Sequence, residues 1–284
     1  MAPSRSSKGR WGPRIERAQK LSADYPFAAE ILRFYVRILN FQKDQYARIE
    51  SACGTTRVAH LGPSLRNELD LVLLLPSFPS FLNLLKRDAP ASLAAAAREL
   101  FTHGMQTSAE LLTAWWSQAV GTAGATESNA GSSQNEGYRF CARAFLQPYA
   151  EYLADHTDPP LIEVTPSVCP LCESRPQLGV LRPEGEGVSR SLVCSLCATE
   201  WRFGRILCPA CGESSETHLA VYIAEEWPYM RVEACETCHS YIKTVDFSKC
   251  GHAVPLVDEI TAIPLDLWAR EKGYTKLHAN LLGI

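Results

Sequence analysis

CPLCESRPQLGVLRPEGEGVSRSLVCSLCATEWRFGRILCPACGESSETHLAVYIAEEWPYMRVEACETC, residues 169–238, is the stretch whose reading decides the architecture. It holds four CxxC units: Cys169/Cys172, Cys194/Cys197, Cys208/Cys211 and Cys235/Cys238. The chain's cysteines placed at random over its length would give roughly 0.4 such pairs, so four in one window are not chance. The spacing has a mechanical reason. Two residues between thiolates make a tight turn that brings both sulfurs to about 2.3 Å from one ion, and two such turns complete a tetrahedron.

The units form an internal repeat. CPLC and CPAC carry proline after the leading cysteine and begin at residues 169 and 208. CSLC and CETC each follow a strand-like run (SLVC, VEAC) and precede an aromatic, Trp201 or Tyr241. The simplest pairing puts Cys169, Cys172, Cys194 and Cys197 in one site and Cys208, Cys211, Cys235 and Cys238 in the other. Each site then defines a ribbon- or rubredoxin-like module, residues 161–206 and 207–250, with 251–284 as a C-terminal extension. Sulfur-only tetrahedra suit zinc or iron, and spacing does not separate them. The two ions either replace a core that such small modules lack or serve as a redox element. Dithiol exchange fits poorly, because that motif normally opens a helix in a βαβ unit and does not come in fours.

Outward from this stretch the character changes. Short β-type runs lie between the cysteines: 178–181, 191–194, 219–224, 230–235 and 241–247. Before Pro160 the spacing is helical. Asp24 ahead of Pro26 marks a helix start, and Phe27, Ile31, Leu32, Tyr35, Ile38, Leu39, Tyr46 and Ile49 recur at helical intervals. Further helices are expected over 67–86 (broken by prolines), from Ser92 to Phe101, from Leu111 to Val120 and from Tyr138 to Ala154. Residues 1–22 read as a loose tail and the Gly/Ser/Asn-rich 121–137 as a flexible loop inside a helical domain of residues 23–160. The expected fold is therefore α+β, a mainly helical N-terminal domain followed by two tandem four-cysteine modules.

Composition narrows the function. At 46% apolar and 21% charged the chain can bury an ordinary core. Net charge is -3, with -5 carried by residues 161–284, whereas binding a phosphate backbone needs a cationic face; no nucleic-acid partner is expected. The longest apolar run, Leu71 to Leu85, is broken by Pro76 and Pro79 and cannot span a bilayer. The basic, polar N-terminus has no apolar stretch behind it, so a cytoplasmic protein is expected. No Gly-rich phosphate loop, Ser/His/Asp pattern or carboxylate pair is present, and no enzyme is expected.

Other residues are weaker candidates. Cys53 and Cys141 read as small buried hydrophobes. Cys250 and His252 read as an unliganded turn and His239 as exposed. Asp155, His156 and Asp158 read as a polar helix end. Trp201 and Arg202 are either a partner-facing patch or aromatic cover over the sulfurs.

The residues between and after the cysteines say more than the spacing. CPLCESRPQLGVL (169–181), CSLCATEWRFGRILCPACGE (194–213), EACETCHSYIKTVD (233–246) and VPLVDEITAIPLDLWAREKGY (254–274) closely resemble the formate dehydrogenase accessory protein family, FdhE. LQPYAEYLA (146–154) resembles it more loosely. The resemblance implies a cytoplasmic, chaperone-like assembly factor. It would bind the catalytic subunit of a respiratory molybdenum formate dehydrogenase before export by the twin-arginine route. It also implies iron at the eight cysteines named above. Two alternatives stay open: a rubredoxin-like electron-transfer protein and, against the charge, a nucleic-acid-binding zinc ribbon.

Overall fold

The computed structural model describes residues 9–54, 64–117, 133–158 and 166–283. Six helices come first: α1 (Trp11–Asp24), α2 (Ala29–Cys53), α3 (Leu71–Leu74), α4 (Phe78–Asp88), α5 (Ala91–Ser117) and α6 (Ser133–Asp155). α2 begins after a single 3-10 turn, Pro26–Ala28, in keeping with the proline signal. It buries Leu32, Tyr35, Ile38, Leu39, Tyr46 and Ile49 along one stripe. The proline-broken region forms α3 and α4, and the Asp70 carboxylate caps α3 by accepting the Leu73 N–H at 3.0 Å.

Two expectations need correction. The stretch expected to be a loose tail is helical from Trp11. Its apolar stripe of Trp11, Ile15, Ala18 and Leu21 is interleaved with Arg14 and Arg17, both buried. Arg14 pairs with Glu151 at 2.9 Å and Arg17 with Asp258, so the positive charge that suggested solvent is neutralised from distant elements. The helices expected from Ser92 and from Leu111 are both present within α5, on either side of a break at Gly104, whose φ of 83° only glycine adopts cheaply. In the expected loop 121–137, residues 133–137 already belong to α6; the rest, like the expected boundary at residue 160, lies outside the described residues. Gly137 is required there, because a Cβ would sit 2.5 Å from the Ala96 Cβ and push α5 off α6.

The second half builds one sheet from β1 (Pro176–Glu184), β2 (Gly187–Cys194), β3 (Glu200–Arg202), β4 (Leu219–Ile223), β5 (Met230–Cys235), β6 (Ser240–Asp246) and β7 (Thr275–Lys276). All five expected runs are strands. The order is β3-β2-β1-β6-β5-β4, with β7 added to β6. Each module supplies an antiparallel meander, and the two are welded by a parallel pairing of Gly179–Leu181 with Thr244–Asp246. At this weld Gly179 admits the neighbouring strand, since a Cβ would lie 2.4 Å from the Thr244 hydroxyl. In the C-terminal extension, α7 (Pro255–Thr261) and α8 (Ile263–Glu271) close one face of the second meander, burying Ala262, Leu265 and Ala269 with Met230, Val232 and Val245. The helical core runs without a break into the first module, from Phe145 and Tyr149 through Leu171 and Leu196 to Trp201 and Phe203.

Candidate metal centres

The four CxxC turns share one local geometry. The residue after each second cysteine is left-handed: Glu173 (φ 60°), Ala198 (φ 55°), Gly212 (φ 80°) and His239 (φ 54°). This turns the chain back, so that the N–H of Glu173, Gly212 and His239 reaches the carbonyl of the leading cysteine at 2.9–3.0 Å. The leading cysteines 169, 194 and 208 in turn donate their N–H across the turn to Ser174, Thr199 and Glu213. Strain of order 1 kcal/mol at each non-glycine site is held by this bonding. Amides then aim at sulfur: Leu196 and Cys197 donate to Cys194 Sγ at 3.3 and 3.4 Å, and Ala210 to Cys208 Sγ at 3.4 Å.

The turns meet in the pairs expected from the repeat: Cys169, Cys172, Cys194 and Cys197 form one group and Cys208, Cys211, Cys235 and Cys238 the other, each with its sulfurs within 4.8 Å of one another. Sulfur–sulfur approaches are 3.3–3.5 Å in the first group and 3.7 Å in the second. These exceed a disulfide bond of about 2.05 Å and approach the ~3.8 Å edge of a tetrahedron with 2.3 Å metal–sulfur bonds. Without a cation such shells cannot carry four thiolates. Burial and the neighbouring thiols push Cys194 and Cys197 well above the ordinary range. Cys172 goes the other way: burial opposes its ionisation, but hydrogen bonds from Cys169, Cys194, Cys197 and Ser174 outweigh it. One dication per shell resolves the conflict, and a four-sulfur donor set fits zinc or iron. Each cluster could hold one ion.

The two surroundings differ. All four sulfurs of the first cluster belong to fully buried residues set in the main core. The helical domain grips both of its turns through arginines that the cysteine spacing did not signal. Arg66 donates to the Cys172 carbonyl at 3.0 Å, to Ser174 Oγ at 2.9 Å and to the Trp116 carbonyl at 2.7 Å. Arg143 donates to the Ser195 carbonyl at 3.2 Å and to the Asn280 carbonyl at 2.9 Å. Trp201 is buried in this core and donates its indole N–H to the Pro166 carbonyl at 3.0 Å, which makes it cover rather than surface. In the second cluster Cys211 is exposed and Cys238 half-buried. Its turns are linked mainly through Glu213, which accepts from Thr237 Oγ1 at 2.6 Å and meets His218 at 3.2 Å.

The remaining candidates stand apart from both clusters. Cys250 is buried in a turn with its sulfur 3.7 Å from His252 Nε2. Cys141 is buried as expected, whereas Cys53 is exposed at the end of α2, a correction that follows from its place in the last helical turn. Asp155 is not merely a polar helix end: it accepts from Tyr46 at 2.8 Å and pairs with Arg10.

Family models for the FdhE central domain and the FdhE C-terminal domain match residues 168–205 and 206–282. The "Protein FdhE homolog" of Aquifex aeolicus is 35% identical over 146 residues, 51% of this chain and 52% of that protein. That of Pseudomonas aeruginosa is 37% identical over 123 residues, 41% of this chain and 39% of that protein. The matched part thus spans about half or less of the curated relatives' length. The crystal structure of the FdhE protein from Pseudomonas aeruginosa has the same fold, with a TM-score of 0.70 at 23% identity over 99% of this chain and 97% of that one. The two cysteine modules thus match the FdhE central and C-terminal domains in order.

Proposed function

We infer that this protein is an accessory factor for a formate dehydrogenase, acting in the cytoplasm as a binding protein rather than a catalyst. It holds the catalytic subunit of a respiratory molybdenum enzyme and supports assembly before export by the twin-arginine route. The observation that carries the reading is the match of both FdhE domains, in order, across a region that brings all eight cysteines into two shells. Physically, holding and releasing a client requires different affinities for its immature and mature states. In this reading the eight cysteines bind two ions, iron by family resemblance or zinc by donor chemistry.

The test is a chromosomal deletion in the source organism, read by formate dehydrogenase activity and by co-purification of the catalytic subunit with the tagged protein. Activity should fall at least ten-fold and return with the wild-type gene. Undiminished activity in the deletion strain sinks the reading.

A second reading, rubredoxin-like electron transfer, is favoured by the exposure of Cys211, since electron exchange needs an ion near solvent. It requires protein prepared without oxygen to show thiolate-to-iron absorption that bleaches and recovers reversibly with a donor. Colourless zinc protein rules it out.

A further inference from the structure

We propose that β4 is a docking edge: an extended acidic segment of a partner polypeptide adds to it as a further strand, with alternate side chains entering the groove beside the second cysteine cluster. This rests on the reading that the protein holds a client polypeptide.

The two ends of the sheet are built differently. β3, at one end, is three residues long, and its charged residues are engaged: Glu200 with Arg182 at 2.7 Å and Arg202 with Glu184. Short length and charge are how sheet edges are normally protected from further pairing. β4, at the other end, has five residues, LAVYI, with no charge and no proline. Val221 and Ile223 are 50% and 54% exposed. An unguarded edge with β-branched side chains is a liability unless something pairs with it.

The phase of the ladder shows what that partner must offer. Glu236 donates its N–H to the His218 carbonyl at 2.9 Å, and Leu219 to Ile223 pair in step with Cys235 to Arg231. Hydrogen-bonded pairs alternate along an antiparallel ladder, so Ala220 and Tyr222 bond to β5; the Leu219 N–H is taken by the Glu216 carbonyl, and the Leu219 C=O and the N–H and C=O groups of Val221 and Ile223 point outward. No backbone bond to those outward groups occurs among the described residues. A row of alternating donors and acceptors at strand spacing is matched by an extended polypeptide and by few other ligands.

Side chains select the sequence. Tyr222 turns to the far face, 4.6 Å from Trp268, so that face is filled. Leu219 and Val221 instead line an open groove of about 420 Å³, whose opposite wall includes Ile206, Leu207 and Cys208. On its floor Arg190 and Arg231 share one carboxylate, Glu233, each at 2.6 Å. Arg205, exposed at the groove, has no ion pair among the described residues, while Glu216 stands on the rim. The balance is cationic inside an apolar cleft, which suits a segment alternating apolar residues with an aspartate or glutamate on the same face.

The test uses the full, metal-loaded chain and the capped peptide Ac-Thr-Val-Thr-Val-Thr-Asp-Thr-NH2 at millimolar concentration, read by residue-level amide hydrogen exchange. Exchange at Val221 and Ile223 should slow at least ten-fold. Val221→Pro removes an outward N–H and no ladder bond, as edge prolines do. It should abolish the protection while leaving exchange in β5 and β6 and the metal content unchanged. Arg205→Glu should weaken peptide binding at least five-fold. Unchanged exchange with peptide, or protection that survives Val221→Pro, overturns the proposal, as does a dimer paired through β4 in sedimentation of the free protein. Capture of the formate dehydrogenase catalytic subunit separates this idea from the functional reading. Peptide binding without capture leaves the edge standing and removes that client, whereas capture undiminished by Val221→Pro removes the edge as its seat.

Discussion

At the residue scale, the eight cysteines carry one chemistry in two settings. A thiol of the first cluster that is replaced leaves the remaining sulfurs buried and one short of a four-sulfur shell, in the core that joins helices to sheet. A thiol at the exposed position 211 can be replaced by solvent. Cys197→Ser should therefore lose one ion and lower the melting temperature by about 10 °C, the shift expected for roughly 4 kcal/mol in a chain of this size. Cys211→Ser should also weaken one ion's binding, yet shift melting by less than half as much. Metal analysis paired with calorimetry checks both, and equal shifts would refute the asymmetry. The ligand positions were legible from spacing alone; the left-handed residue that turns back the chain after each CxxC unit, Gly212 in one of them, was shown by the structure. Glu173, Ala198 and His239 adopt the same left-handed geometry without any residue-type signal, because the turn's own hydrogen bonds impose it. Arg66 and Arg143 were not legible, since what they bind is backbone carbonyl, which no sequence pattern marks.

At the scale of elements, every strand expected from β-type runs between the cysteines is present, because alternating burial and tight turns are local properties. The helix α1 was missed for a non-local reason. Its buried arginines look like solvent residues until Glu151 and Asp258 arrive from far along the chain. The cysteine hairpins also differ as elements: those of the first module are clamped by α5, α6 and the 64–67 turn, while those of the second stand at the sheet's end. Metal release to a chromophoric chelator should accordingly be biphasic, with one ion leaving at least ten-fold faster. Alkylation mapped by mass spectrometry should mark Cys208, Cys211, Cys235 and Cys238 first. A single kinetic phase with uniform labelling would contradict this.

Across the whole molecule, buried ion pairs tie together segments that no local pattern connects. Lys243 on β6 is fully buried and meets Glu259 of α7 at 2.9 Å and Asp266 of α8 at 2.6 Å, and Lys276 of β7 joins both acids. Burial alone would raise the Glu259 carboxyl, but Lys243 and Lys276 outweigh it and hold it at about 2. A carboxyl held below its unfolded value of roughly 4.3 adds stability that is complete above that pH and is lost as pH falls toward 2. Urea unfolding should show this loss beginning below about pH 5. Glu259→Gln should cost about 3–5 kcal/mol at pH 7 by leaving buried ammonium groups short of a counter-charge. It should then lose less than the wild type between pH 5 and 3; parallel pH profiles would refute the assignment. Among the described residues no helix is long and apolar enough to cross a membrane. The sequence by itself determined the two cysteine clusters, their pairing, the strands between them and the helical character of the first half. Each of these follows from ligand spacing or from periodicity over a few residues. Only the tertiary structure decided that the two modules share one sheet through Gly179, that one cysteine cluster is embedded and the other open, and that β4 is left as an unguarded edge. Those outcomes depend on which surfaces meet, and long-range packing and charge neutralisation leave no mark in the local order of residues.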